Sequence, residues 1–366
     1  MEGPAVNADV LIVGGGIAGL SLAWRLAPRA NVVLLEAEGT LAYHTSSRSA
    51  RQMQPSYGPG PIKELTARSI RAVQQISAEL GHSILSPRPL IFIGTEAESA
   101  AQSGANGYLK PLSHADALRM SPDLRPESFE AACLDDSALE VDVPQLLEYY
   151  RAQAVAAGAA INTDAPVHTA QRTGSGWTVG AGSNAYSAAV VVNAAGAWAD
   201  PLAVVFGVGI QGLRPHRRTA AIVSTERPVD PAAPMIAAAD DTFYYRPDGS
   251  DLLISPCESV PCIAEDAKPV DSDVRRLMQR IDAVTSLGIS GLRRSWTGLR
   301  TTAPDGLPVV GYDPEAPGFF WLAGQGGYGI QTSAAMATMA SELILTGGKS
   351  CGEVPAAVAE ALSASR

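Results

Sequence analysis

Three glycines, Gly14, Gly16 and Gly19, stand as G-x-G-x-x-G directly behind the apolar run Val10-Leu11-Ile12-Val13, and a carboxylate, Glu36, follows twenty positions after Gly16. Residues of these types at this spacing hold a dinucleotide. Gly14 permits a tight turn, Gly16 keeps a Cβ out of the path of a pyrophosphate, and Gly19 lets helix and strand pack closely. The unpaired N–H groups at the helix start, with the positive end of its dipole, attract the phosphates. Glu36 accepts bonds from both ribose hydroxyls and disfavours a 2′-phosphate, so FAD or NAD is expected over NADP. A second glycine-rich stretch, Gly324-Gln325-Gly326-Gly327-Tyr328-Gly329-Ile330, opens a long Ala-rich helix late in the chain and offers another set of backbone amides to an anionic group.

Elements must carry these groups. Residues 10–13 and 31–35 read as buried parallel strands, with a helix through Leu26 between them. Residues 42–52, rich in small hydroxyl side chains and arginine, suit a loop lying along more of the cofactor. Helical spacing recurs at 61–80 and 115–120, and Asp142-Val143-Pro144 reads as the cap and first turn of a helix to 157. Strands are expected at 90–93, 160–163 and 167–169, with a hairpin about 180–182. Residues 189–193 form a short buried strand ending in the small residues Ala194, Ala195 and Gly196. Further strands are expected at 219–224, 242–246, 252–255 and 319–323, with a helix at 271–286 and a turn at 304–306. Residues 1–8 read as a disordered lead-in and 350–366 as a frayed tail.

The totals narrow the function class. With 366 residues, 46% of them hydrophobic, the chain can form one large two-lobed unit or two domains. A net charge of −10 argues against nucleic acid or an anionic membrane surface as partner. The four cysteines, Cys133, Cys257, Cys262 and Cys351, have no zinc or C-x-x-C spacing, so free thiols in a reducing cytoplasm are expected. No signal peptide or segment of membrane-spanning length is visible, and none of the five histidines has a metal-ligand spacing.

The later cofactor-like segments, 190–196 and 324–330, lie far from the amino-terminal turn, a distribution that suits a long cofactor such as FAD gripped along its length. In these segments the chain resembles the FAD-dependent D-amino-acid oxidase superfamily, of glycine oxidase and D-amino-acid oxidase type. Within it, the chain is most similar to the bacterial D-arginine dehydrogenases. The matching pieces include Val13-Gly14-Gly15-Gly16-Ile17-Ala18-Gly19, Arg48-Ser49-Ala50, Leu85-Ser86-Pro87-Arg88-Pro89, Val192-Asn193-Ala194-Ala195-Gly196-Ala197-Trp198, Arg217-Arg218, Phe243-Tyr244, Trp296-Thr297-Gly298-Leu299-Arg300 and 325–336, in the family's order. The resemblance implies an α/β fold: a Rossmann-like FAD-binding domain (1–84, 145–213 and 295–366) interleaved with a mixed β-sheet substrate-binding domain (85–144 and 214–294).

It implies oxidation of the Cα–N bond of an amino acid by hydride transfer to the flavin, giving an imino acid that hydrolyses to a 2-oxo acid. Arg300 is expected to clamp the substrate carboxylate with two parallel N–H donors, and Tyr244 to reach the same carboxylate. Tyr57 matches a tyrosine on a mobile loop, and the glycines and prolines around it suit a lid. Arg218 matches an arginine near the substrate. Gln52, Met53, Leu90 and Gly327 are expected in the substrate pocket. Cofactor contacts are expected from Gly14, Gly16, Ile17, Ala18, Gly19, Glu36, Ala37, Arg48, Ser49, Ala50 and Gln52. They continue through Val167, Ala195, Gly196, Trp198, Gly298, Gly324, Gly326, Gly327, Tyr328, Gly329, Ile330 and Gln331. No cysteine falls in the segments expected to line the flavin ring, so the FAD is expected to be non-covalent. His44, in the loop before Arg48, is not expected to act as a base.

Two departures from the resemblance matter. Gln52 stands where the relatives carry a histidine that helps the amine react, and an amide cannot take a proton near neutral pH. Leu90 replaces a carboxylate that grips a guanidinium, and Met53 replaces an aromatic residue. The side-chain pocket is therefore expected to be apolar, with arginine and lysine poor substrates. Two other readings stay open: oxidation of a secondary or cyclic amine or a 2-hydroxy acid, and a flavin-binding relative without turnover. The electron acceptor (oxygen, a quinone or another) is not readable from residue order.

Overall fold

The computed structural model describes residues 5–104 and 107–366. Strand Val6–Val13 runs into the glycine turn and helix Ile17–Leu26, and strand Val32–Leu35 returns parallel beside the first, with Val10 opposite Val32. Val10–Val13 and Val32–Leu35 are covered on both faces, which is why they read as unbroken apolar runs rather than alternating ones. On the other flank, strand Asn184–Asn193 pairs parallel with Val6–Val13, and Phe319–Ala323 pairs parallel beyond it. Among the described residues this first sheet has eight strands, so its oldest strand in chain order lies between pieces drawn from both halves of the sequence.

Helices Val143–Ala156 and Gly329–Leu345 pack against helix Ile17–Leu26 on one face of that sheet. The Asp142 side chain caps the first of them, accepting the Gln145 N–H at 3.0 Å, with Pro144 in its first turn. The opposite face is filled by edge-to-face aromatic pairs among Trp177, Phe206, Phe319 and Trp321. Such pairs each contribute about 0.5–1.5 kcal/mol beyond the area they bury.

Among the described residues a second, nine-stranded mixed sheet forms the other lobe. Its longest pairing sets Arg214–Thr225 antiparallel to Ile289–Thr302, so residues 295–302 run within the second sheet. Leu90–Gly94 pairs parallel with Met235–Ala238, which puts Met235 beside Leu90 and Ala237 beside Phe92. A small three-stranded sheet, Gln52–Met53 with Leu139–Val141 and Leu85–Pro87, lies between the lobes.

The ends depart from the sequence expectation. Residues 6–8 are already strand, and residues 1–4 lie outside the described residues. The tail is docked, not frayed: Ala356–Ala361 is helical, Val354, Val358 and Leu362 are buried, and Val310 N–H donates to Leu362 O at 2.7 Å. Three apolar side chains at 354, 358 and 362, four apart, lay one stripe on the core, a spacing hidden among alanines. Among the described residues, no helix is long and apolar enough to cross a membrane.

Candidate active site

The glycine turn is closed by contacts that tolerate no side chain. At Gly14 (φ +113°) a Cβ would lie 2.4 Å from Ala194 O, and at Gly19 it would lie 1.9 Å from Gly14 O. Gly16 is different, since a Cβ there would meet only Ser46 Oγ at 3.2 Å, leaving its backbone open toward the cleft. Ser46 Oγ accepts the Ile17 N–H at 2.9 Å at the helix start. Glu36 closes the second strand by accepting the N–H of Gly15 (2.7 Å) and of Glu38 (3.0 Å). His44 Nε2 lies 2.9 Å from Glu38 Oε1 and its ring rests on Trp198, so this histidine holds the loop rather than facing the cleft.

Between the lobes lies a cleft of ≈ 250 Å³. From the glycine turns and the loop after the second strand, Gly16, Ile17, Ala18, Arg48, Ser49, Ala50, Gln52 and Tyr57 line it. From the later segments come Leu90, Gly196, Arg218, Tyr244, Gly298, Arg300, Gly326, Gly327, Gly329, Ile330 and Gln331. Gly14, Gly19, Glu36, Ala37, Val167, Ala195, Trp198, Gly324 and Tyr328 lie off this cleft, along the first sheet and at the base of the late glycine loop. Met53 is a correction. It is fully buried in the first lobe's core, because successive side chains of a strand point to opposite faces and Gln52 takes the cleft side.

Arg48 ties the loop to the long strand: its guanidinium donates to Thr297 O (2.7 Å) and Asp266 (2.8 Å), and Trp296 Nε1–H donates to Arg48 O (3.2 Å). Further along that strand, Arg300 Nη1 donates to the Tyr57 hydroxyl at 3.1 Å. The side chain passes close over Gly327 (φ +102°), where a Cβ would sit 2.9 Å from Arg300 Nε. Burial works against the charge on Arg300, yet Tyr57, Tyr244 and Cys257 around it hold its pKa above the usual guanidinium value. Burial likewise pushes the Tyr244 hydroxyl up, against the pull of Arg300, so it stays a neutral donor. Arg218 is opposite Gly298 and Arg300 opposite His216, so the two arginines share one face of adjacent strands. Arg218 Nε and both amide atoms of Gln52 are buried with no hydrogen-bond partner among the described residues.

Sequence reasoning missed several walls. Phe92, Met235 and Ala237 join Leu90 in an apolar side; the alternation within 90–92 was a usable signal for Phe92. Gln54 lines the cleft two residues beyond Gln52, on the same principle. Cys257, outside the segments expected to line the flavin ring, also lines the cleft. Burial, with Asp241 nearby, pushes its thiol up to about 12, so it is held as an unreactive thiol. Arg51, Asp241 and Cys257 are three of the five non-glycine residues with positive φ among the described residues, and all three line the cleft. Among the described residues no cluster of side chains could hold a metal ion.

Beside the cleft lies a part-buried ion network. Glu140 takes Arg88 at 2.8 Å and Arg246 at 3.0 Å, with Arg51 at 3.7 Å. Arg246 also donates to Ala50 O at 2.9 Å, and Arg88 to Pro231 O and Ala233 O, just before Met235.

The family profile described as FAD dependent oxidoreductase (DAO) matches residues 9–343. The chain belongs to the DAO family of FAD-dependent oxidoreductases. Among DAO relatives, a glycine oxidase of Geobacillus kaustophilus is 26% identical and covers 92% of each chain. Its crystal structure superposes with a TM-score of 0.81 over 93% of this chain and 95% of that one. The mitochondrial dimethylglycine dehydrogenase of Homo sapiens is 25% identical over 93% of this chain and 43% of its own length. The L-proline dehydrogenase structure from P. horikoshii has the same fold, with a TM-score of 0.84 at 19% identity over 96% of each chain.

FAD is the cofactor of this DAO protein, and the observed residues fit it. The close-packed Gly14 and Gly19 leave Gly16 and the helix start facing outward, Glu36 stands at the end of the second strand, and the unsatisfied Gln52 amide looks into the cleft.

Proposed function

We propose that this DAO protein oxidises the Cα–N bond of a small amino acid whose side chain is apolar or uncharged, releasing an imine that water hydrolyses to a 2-oxo acid. The observation that carries the reading is the Arg300 guanidinium, held in the cleft beside Tyr57 and Gly327, with the Leu90 and Met235 wall lining the same cleft. FAD, when bound, supplies the redox chemistry by accepting the hydride. Arg300 binds the substrate carboxylate in one plane, the Tyr57 hydroxyl passes from Arg300 to that carboxylate as the loop closes, and Tyr244 and Arg218 complete the anion site. A cationic side chain pressed against Leu90, Phe92 and Met235 would be desolvated with no carboxylate in that wall to pair with it, Asp241 being the one acidic residue among the described residues that line the cleft. The resemblance to D-amino-acid oxidising enzymes supports a preference for the D isomer. The acidic composition and free cysteines support a cytoplasmic setting.

Anaerobic bleaching of the flavin with a panel of amino acids tests this. D-leucine and D-methionine are expected to reduce it at least about tenfold more efficiently than D-arginine. Turnover of D-arginine with none for D-leucine or D-methionine refutes the reading.

A second reading, oxidation of a secondary or cyclic amine such as sarcosine or proline, is favoured by Gln52, whose buried amide offers an acceptor but no base. Both readings share one pH prediction. With no enzymic base at Gln52, kcat/KM rises about tenfold per pH unit up to the pKa of the substrate amine and then levels. Changing to a substrate of lower amine pKa moves the break down by the same amount. A break near the ordinary histidine range that does not follow the substrate rules this out.

A further inference from the structure

The protein has a second cleft, of ≈ 450 Å³, that the amine chemistry leaves unused. Ser49 and Arg51 line both clefts, so the segment 49–51 is the wall between them. The floor is apolar and drawn from both lobes: Leu20, Val143, Ile222 and Leu253, each no more than 4% exposed. One side is the indole of Trp296, fixed by its N–H bond to Arg48 O at 3.2 Å and covered by the Arg294 guanidinium 5.2 Å from the ring centre. Arg51 faces the same space, held by Asp248 and Glu140, and its pKa is lowered first by burial and in part by the nearby Arg294. Glu148 and Arg151 pair with each other at the rim.

A DAO enzyme must dispose of the two electrons it takes from each substrate. Dioxygen needs no slot of this size, whereas roughly 300–1,000 Å³ is the range of small-molecule sites. Apolar walls with an indole face suit a flat ring. Two guanidinium groups suit carbonyl oxygens that gain negative charge as electrons arrive.

We propose that this second cleft receives the electron acceptor, a small para-quinone, between Trp296 and Leu147 with its oxygens toward Arg51 and Arg294. Two electrons and two protons pass from the reduced cofactor to the quinone. Its two C=O groups become C–OH as two O–H bonds form, the two N–H bonds of the fully reduced cofactor that supply the protons break, and the cofactor returns to the oxidised form. The inference rests on the FAD-dependent oxidoreductase assignment and not on which amine is oxidised.

The test uses FAD-loaded protein reduced by light under anaerobic conditions, so no amine is needed. The reduced protein is mixed with menadione, and return of the flavin colour is followed. The wild type is expected to show a rate that saturates with menadione. Leu147→Trp, which fills the slot, and Arg294→Ala, which removes a cation from the opposite side, are each expected to raise the half-saturating concentration about tenfold. Reoxidation by dioxygen and bleaching by the amine substrate should stay unchanged in both. Calorimetry on the oxidised holoprotein should show one menadione bound, lost in Leu147→Trp. The proposal is overturned if the wild-type rate rises linearly without saturation, or if both variants keep the wild-type dependence. Because the two variants lie on different elements, one that fails to fold leaves the other to decide. Failure of every amine to bleach the flavin would sink the amine reading alone.

Discussion

Arg300→Ala is expected to cut kcat/KM for the amino-acid substrate by about 10²–10³, with most of the loss in apparent affinity and the FAD content unchanged. A charge pair that loses one buried partner costs about 2–5 kcal/mol, and about 1.4 kcal/mol is a factor of ten. The expectation is at the high end of a side-chain effect because, among the described residues, the guanidinium has one side-chain hydrogen bond in the cleft, to the Tyr57 hydroxyl, and otherwise lies close to Gly327. Its donors are therefore poised for an incoming anion. Arg300→Lys should recover only part of the loss, since an ammonium keeps the charge but not the fork. Steady-state kinetics on the pair decides. Undiminished affinity for a carboxylate substrate in Arg300→Ala would remove the clamp from the mechanism while leaving the FAD fold intact.

Glu140→Ala should destabilise the protein by about 3–5 kcal/mol, the cost of breaking a buried ion network from one side. That corresponds to a fall in Tm of roughly 6–20 °C at about 2–4 °C per kcal/mol. Glu140 is bonded to Arg88 and Arg246, both buried, and burial lowers the Arg246 pKa to about 10 even with the carboxylate present. Arg246 Nη2 already lacks a partner among the described residues. Loss of Glu140 would leave these cations facing one another with Asp248 as the remaining anion nearby. The functional signature should accompany the thermal one. Glu140 lies opposite Gln52 in the small sheet, and its arginine partners hold Ala50 O and the loop before Met235. Flavin release should therefore occur well below the unfolding temperature of the wild type. Thermal melts read by flavin fluorescence and by far-ultraviolet circular dichroism check both parts. An unshifted Tm would show that the network is not coupled to the fold.

The parts of the molecule that depend on local chemistry were legible in the sequence. The glycine turn, the Asp142 cap, the hairpin about residue 182 and the Gly329 helix each follow from a few neighbouring residues. The long strand Ile289–Thr302 was not, because residues 289–294 are largely exposed and polar and its order comes from pairing with Arg214–Thr225. Met53 was expected in the pocket from the resemblance alone, and residue type does not announce that its side chain turns into the core. Cys257 and Asp241 reached the cleft through left-handed backbone that non-glycine residues rarely adopt and that residue type does not announce. Gln52 was legible as a type, but only the fold shows that its amide is buried and unanswered.

The parallel neighbours of Val6–Val13 carry a consequence for how the chain is made. That strand waits for Asn184–Asn193 to arrive, which in turn waits for Phe319–Ala323, and the helix that covers them ends at Leu345. A ribosome must deliver nearly the whole polypeptide before the nucleotide cradle can close, and the apolar amino-terminal segments spend that interval unsheltered. Heterologous production should therefore gain more from chaperone supply than from extra riboflavin.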